Sequence, residues 1–403
     1  MHNPEYLLHV SEGAEEISEI LHQYIVKKMV ENMMLRIGRG ENYLLTAKDK
    51  WWIETLQQAG YLLEDIQKEI AKVTKLQQKE IAEAMEEAGV KSLDYDDEVY
   101  RSAGLDPKPF TQSPELVRIA QRNYEATMGE FRNFTRTMAL QTQQLFIKEC
   151  DRAYTLVATG ALSYTEAVKE VINNIVSDGV KVKYSSGRED TIETATLRAV
   201  RTGISQMSAQ ITDTRMEEMN WDIILVSSHL GARVTDKEDY TNHYWWQGKF
   251  YSKSGNDPRF LPYSECGFGK VQGIHGANCR HSHGPGDGIH NPFKDFDSED
   301  NRKQYEKEQR QRTLERRIRD TKREVMGLKE AVDNCKDEKA KFELDLQYQK
   351  KANLLSKQNK AYKEYCESNN LRPLADRIHI AKWDRKQAAA VIGAAKRYNN
   401  AKA

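Results

Sequence analysis

Apolar side chains recur every three to four positions over most of the chain, the period of helices that bury one face. Ile17, Ile20, Leu21, Tyr24, Ile25 and Met29 form one such stripe, with Ser11 placed to cap its start and Gly38 and Gly40 to end it. Trp51, Trp52, Ile53 and Leu56, then Leu62, Leu63, Ile66, Ile70, Val73 and Leu76, carry the pattern on to Gly89. Gly104, Pro107 and Pro109 mark a linker over 93–113. A helix then opens at Ser113-Pro114, because proline at the first helical position lacks only an N–H that has no intrahelical partner. It runs to Thr159, and shorter helices follow over 164–176 and 191–219, the latter on Ile192, Thr196, Ala199, Ile204, Met207 and Ile211.

Elsewhere the period changes. Residues 180–184 alternate like a strand before a turn at Ser185-Ser-Gly-Arg188, and the apolar run over 222–227 reads as a strand buried on both faces. Residues 227–293 hold ten glycines and four prolines with no helical period, which predicts a small β-and-loop module. Beyond it Leu314, Ile318, Thr321, Val325, Leu328, Val332 and Cys335 alternate steps of four and three, a coiled-coil seam. Leu314, Ile318, Val325 and Leu328 are the positions that would meet a partner helix. A polar break at 333–337 turns the chain, and Phe342, Leu346, Ala352, Leu355 and Tyr362 supply a returning helix in an antiparallel hairpin. The pattern thus predicts a mainly α protein with a small α+β module. Its segments are helices over 1–160, the module over 161–297, the charged hairpin over 298–370 and a tail over 371–403.

Composition narrows the class. Charged residues make up 30% of the 403 and hydrophobic ones 39%, a balance suited to elongated, wet helices rather than one large core. The net charge is zero, so no partner follows from it. Five scattered cysteines do not form a disulfide framework and point to a reducing compartment. No apolar run is long enough to span a bilayer, and the first residues lack the pattern of a secretory signal, so the expectation is a soluble protein made in a cytoplasm.

Candidate chemistry concentrates in 227–293, with six of the ten histidines, two of the six tryptophans and two of the five cysteines. His275, Cys279 and His281 are of the ligand types zinc prefers, and Cys266, His229, His243 and His283 lie around them in sequence. The spacing lacks the paired clips of a zinc finger and the His-Glu-x-x-His of metalloproteases, which favours a structural role for these histidines over metal. Cys279 with His275 or His281 would suit a cysteine hydrolase, but such pairs are built by the fold rather than by sequence proximity. The glycines match no phosphate loop and are read as turn residues. Eleven Lys/Arg against six Asp/Glu over 301–330 offer an electrostatic face for DNA, without the interleaved aromatics that stack on bases; a solvated helix is the simpler reading.

The order of motifs from Val180 to Pro285 resembles the phage minor capsid protein family, the second minor capsid family of Gram-positive phages and prophages, akin to MuF-type head morphogenesis proteins. The resemblance rests on Tyr184-Ser-Ser-Gly-Arg188 and on a helix with Thr202 and Gln206. It continues through His229, Gly231 and Arg233 of Ser227-Ser-His-Leu-Gly-Ala-Arg233, and Trp246, Gln247, Gly248 and Lys249 with Tyr251. Gly267-Phe-Gly269 follows, then Gly273, His275, Asn278, Cys279, Arg280 and His281 leading to Pro285. It reaches through the charged hairpin, over about 160–385, while the first 160 residues match only in being helical. One departure follows Arg233: Val234-Thr-Asp and an insertion stand where the family pattern has Pro and then His, and His243 appears just before Tyr244-Trp-Trp. The resemblance implies a virion structural protein, not an enzyme, present in few copies inside the capsid or at the portal. Portal protein, major capsid protein and packaged DNA are the implied partners. It implies no membrane, no small-molecule substrate and no cofactor, with zinc the one metal the residues leave open.

Overall fold

In a computed structural model, which describes residues 1–178, 181–184 and 186–401, the helices fall largely where periodicity and caps place them. They are α1 (Pro4–His9), α2 (Glu12–Ile37), α3 (Glu41–Leu44), α4 (Lys48–Ser102), α5 (Pro114–Ala158), α6 (Tyr164–Asp178) and α7 (Ile192–Glu218). After a one-turn α8 (His243–Trp246) come α9 (Ser298–Asn334), α10 (Glu338–Ser368) and α11 (Arg385–Asn400). Strands β1 (Lys181–Lys183) and β2 (Glu189–Thr191) pair antiparallel. Strands β3 (Ile223–Val226), β4 (Phe250–Ser252), β5 (Leu261–Pro262) and β6 (His283–Pro285) form a second sheet in the order β5-β4-β3-β6. The protein is mainly α with a small α+β module. Val180 and Ser185, parts of the expected strand and turn, lie outside the described residues.

Three expectations change. Helix α4 does not stop at Gly89 but continues to Ser102, so only the last part of the expected linker is irregular. Gly89 is there for space: a Cβ would lie 3.1 Å from the Phe110 ring and 3.6 Å from Ile211. In α10, Phe342 is 69% and Leu346 42% exposed; the buried face is instead Ala340, Leu344, Tyr348, Ala352, Leu355, Tyr362 and Cys366. The tail carries α11, which packs on α10 through a face that buries Val391, Ala394 and Ala395.

The chain divides into two units. Unit 1 holds 1–15, 75–132 and 194–309; unit 2 holds 16–74, 133–193 and 310–403. In unit 2, α9 and α10 run antiparallel, since Gln311 and Glu315 bond Tyr362 while Glu324 meets Lys351. Ile318, Val325 and Leu328 are buried and Leu314 is half-buried among the chain's own helices. A Cβ at Gly327 would stand 2.5 Å from Val176 Cγ1 and 3.6 Å from Val26 Cγ1, so α9 approaches α6 and α2 closely there. Arg323 sits beside that contact and binds Glu19 (2.5 Å) and Glu193 (2.6 Å), both buried, while Glu193 also meets His22 Nδ1 at 2.9 Å. Unit 1 is built around the second sheet. Its central strand β3 sends Ile224 and Val226 into a cluster with Tyr100, Met216, Trp246, Tyr251, Tyr263, Cys266, Ile274 and Cys279.

Candidate functional site

All motif residues from His229 to Pro285 lie in unit 1, and they divide by the partners that hold them. One group faces α7. That helix presents Ser205, Ser208, Thr212 and Arg215 at steps of three and four, all buried, so it carries a polar seam beside its apolar one. Each member makes at least one hydrogen bond. Ser205 Oγ meets His275 Nδ1 at 2.8 Å, Ser208 Oγ meets His2 Nε2 at 2.7 Å, and Thr212 donates to Asp96 Oδ2 at 2.7 Å. Arg215 donates to the Lys108 carbonyl at 2.5 Å. His275 Nε2 lies 2.9 Å from His283 Nδ1, which also meets the Tyr263 hydroxyl at 2.9 Å, and His283 Nε2 is 3.4 Å from Asp213 Oδ1. Burial, followed by the charge of His283, holds the His275 pKa well below the usual imidazole value, so it is neutral at physiological pH. The result is a chain of buried hydrogen bonds that ties the 273–285 loop and β6 to α7.

The second group gathers at α8. Asn242 caps this single turn by accepting from the Trp245 N–H, which sets His243 and Trp246 facing inward. Trp246 Nε1 donates to the Tyr240 carbonyl at 3.1 Å and Tyr251 donates back to the Trp246 carbonyl at 2.7 Å. His243 Nε2 donates to the Gln272 carbonyl at 2.8 Å. Gln247 Oε1 accepts the His229 N–H at 3.0 Å, so the same oxygen must accept from His281 Nε2, also at 3.0 Å. That assignment places the proton of His281 on Nε2 and leaves Nδ1 with its lone pair, 3.7 Å from Cys279 Sγ. His229 stacks on the His281 ring with centroids 4.5 Å apart. Among the described residues, one ligand atom each from His243, Cys279 and His281 lie within 4.8 Å of one another, and all three residues are buried. Cys279 and His281 therefore converge with His243 rather than with His275, whose two ring nitrogens are taken by Ser205 and His283.

The remaining motif residues shape the loops around this group. Arg233 donates to the carbonyls of Gln272 (3.2 Å) and Ala277 (3.1 Å), and Arg280 pairs with Glu308 at 3.2 Å. Gly231 adopts φ 79° and Gly248 φ 66°, where a side chain would be strained. A Cβ at Gly273 would stand 2.1 Å from the Gly267 carbonyl oxygen, so only glycine fits. Asn278 turns the chain with φ 61°. Lys249 Nζ lies 5.5 Å over the Trp245 ring, and Pro285 pairs with Ile224 in the sheet. Asn301 of α9 was not anticipated. Its Oδ1 accepts the N–H groups of Gly231 (2.9 Å) and Ala232 (3.0 Å), and its amide donates to the Ala232 carbonyl at 3.1 Å. The α7 seam was within reach of sequence reading, as a polar stripe at helical spacing; Asn301 gave no such signal.

Burial, aided by the Arg233 charge, lowers the His243 pKa to about 3. Burial, then the charges of His229, His243 and Arg280, likewise holds His281 well below the ordinary range. Burial raises the Cys279 thiol to about 11, against the opposing pull of backbone hydrogen bonds and of Arg233 and Arg280. A neutral thiol with no solvent access is not an activated nucleophile. A cleft of about 490 Å³ borders Gln247 and is lined among others by Asp236, Lys237, Glu238, Trp245 and Lys249, a surface of mixed charge.

A mainly α chain thus carries one Gly-rich, loop-dominated module whose loops are held by buried hydrogen bonds. A model of the phage minor capsid protein 2 family matches residues 3–361, most of the chain, and the protein belongs to that family. The match begins at residue 3, so the N-terminal helices, which the motifs alone left unassigned, are part of the family's region. No curated protein and no solved structure matches the chain. The protein is thus a structural component of a phage virion, a minor capsid protein. No helix among the described residues is long and apolar enough to cross a membrane.

Proposed function

We propose that this minor capsid protein sits inside the head at the portal vertex, binds portal protein or major capsid protein, and acts in head assembly or DNA packaging without catalysing a reaction. The family match over 3–361 carries the reading. The buried hydrogen bonds around His275 support it, because a module that fixes its loops to a helix in this way offers a rigid docking shape. The cysteine hydrolase reading is disfavoured by the burial and raised pKa of Cys279. The DNA-binding reading loses several of its charges to the protein itself. Arg323 is held by Glu19 and Glu193, Lys322 donates to the Ile378 carbonyl, and Arg319 binds the Arg377 carbonyl. Cross-linking mass spectrometry on intact heads tests the placement: links from this chain to portal or major capsid protein are expected. Heads that contain the chain but yield links to neither would overturn it.

A further inference from the structure

We propose that His243, Cys279 and His281 form a structural site for a zinc-class divalent cation within unit 1. The ligand set, two imidazoles and a thiolate, is one that zinc favours. The separation fits as well: tetrahedral geometry across a Zn–N bond of about 2.1 Å and a Zn–S bond of about 2.3 Å puts the donors about 3.6 Å apart. His281 Nδ1 and Cys279 Sγ are 3.7 Å apart already.

The surroundings supply the outer contacts that metal-bound histidines use, in which the ring nitrogen away from the metal donates to a fixed oxygen. His281 Nε2 donates to Gln247 Oε1, whose orientation is set by the His229 N–H, and His243 Nε2 donates to the Gln272 carbonyl. Both rings are thereby held in the tautomer whose Nδ1 has a lone pair to give. Arg233 and Arg280 lie close enough to favour the thiolate electrostatically. Binding ionises the Cys279 thiol and releases its proton to solvent, while the imidazoles coordinate without losing one. All three ligands are buried, so the ion would be enclosed as the module folds, locking α8 to the 273–281 turn. His229, half-buried, stacks on the His281 ring at the edge of the group.

The test uses the full chain produced with zinc or with cobalt in the medium and then dialysed. Elemental analysis should find about one zinc per chain, and the cobalt form should show a near-ultraviolet thiolate-to-cobalt absorption band. Zinc below about a tenth of an equivalent together with no cobalt band overturns the site. Cys279→Ser should abolish the band while Cys266→Ser keeps it; the reverse pattern, or a band that survives Cys279→Ser, overturns the assignment. Gln247→Leu tests the positioning role, with metal affinity expected to fall about 10–100-fold. Unchanged affinity there would show that the Gln247 contact does not set the ligand tautomer. Should Cys279→Ser fail to fold, the wild-type cobalt band alone decides.

Discussion

Asn301→Ala should loosen the loop from His229 to Arg233 more than any surface change could. Asn301 is fully buried near the start of α9 and makes three hydrogen bonds to that loop, accepting from Gly231 and Ala232 and donating to the Ala232 carbonyl. Alanine leaves two buried N–H groups without an acceptor. A stranded buried donor costs about 1–3 kcal/mol, so the pair amounts to roughly 3–4 kcal/mol once partial relaxation is allowed. Asn301→Asp keeps both acceptor contacts near a helix N-terminus but turns an oxygen toward the Ala232 carbonyl, so it should cost less than the alanine change without matching the parent. The assay is hydrogen exchange of peptides covering 229–233. A loss of about 3 kcal/mol in local stability corresponds to roughly a hundredfold faster exchange there. Exchange accelerated by less than about fivefold in the alanine variant, or equally in both variants, would refute the idea that this side chain holds the loop.

In unit 2, Arg323→Met strands Glu19 and Glu193 in the interior and should destabilise that unit by about 3–5 kcal/mol in chemical denaturation. Adding Glu19→Gln and Glu193→Gln should restore part of the loss; a single variant as stable as the parent would contradict the buried network. His2 gives a pH signature. Burial, with the terminal ammonium and Lys91 adding to it, lowers its pKa from 6.5 to about 3. Below pH 6.5 the unfolded chain therefore binds a proton that the folded chain does not, and stability falls as pH falls, by about 1.4 kcal/mol per pH unit from this group. His2→Gln should remove about 1.4 kcal/mol in total of the decline between about pH 7.5 and about pH 5.5, and an unchanged decline would exclude His2 as its source.

Local chemistry made most helix ends legible. Ser113-Pro114, the Gly38 stop and the start of α7 at Ile192 are set by residues within one turn of the boundary. Gly89 misled because its meaning is tertiary: it admits the Phe110 ring, and nothing nearby in sequence says so. The same holds for α10, where the buried stripe is chosen by the packing of α6, α9 and α11 rather than by the most apolar side chains, leaving Phe342 outside. Within the candidate site, Cys279 and His281 were visible as neighbours, but loops carry no period. Neither the replacement of His275 by His243 in that group nor the capture of His275 by Ser205 followed from spacing.

As a member of the phage minor capsid protein 2 family, this chain is a structural part of the virion. Quantitative mass spectrometry of purified particles, with major capsid and portal proteins as internal standards, tests it most directly. The chain should be present at a fixed ratio to portal and far below the major capsid protein. Its absence from both mature particles and assembled heads, with the chain found only in the infected-cell lysate, would contradict it.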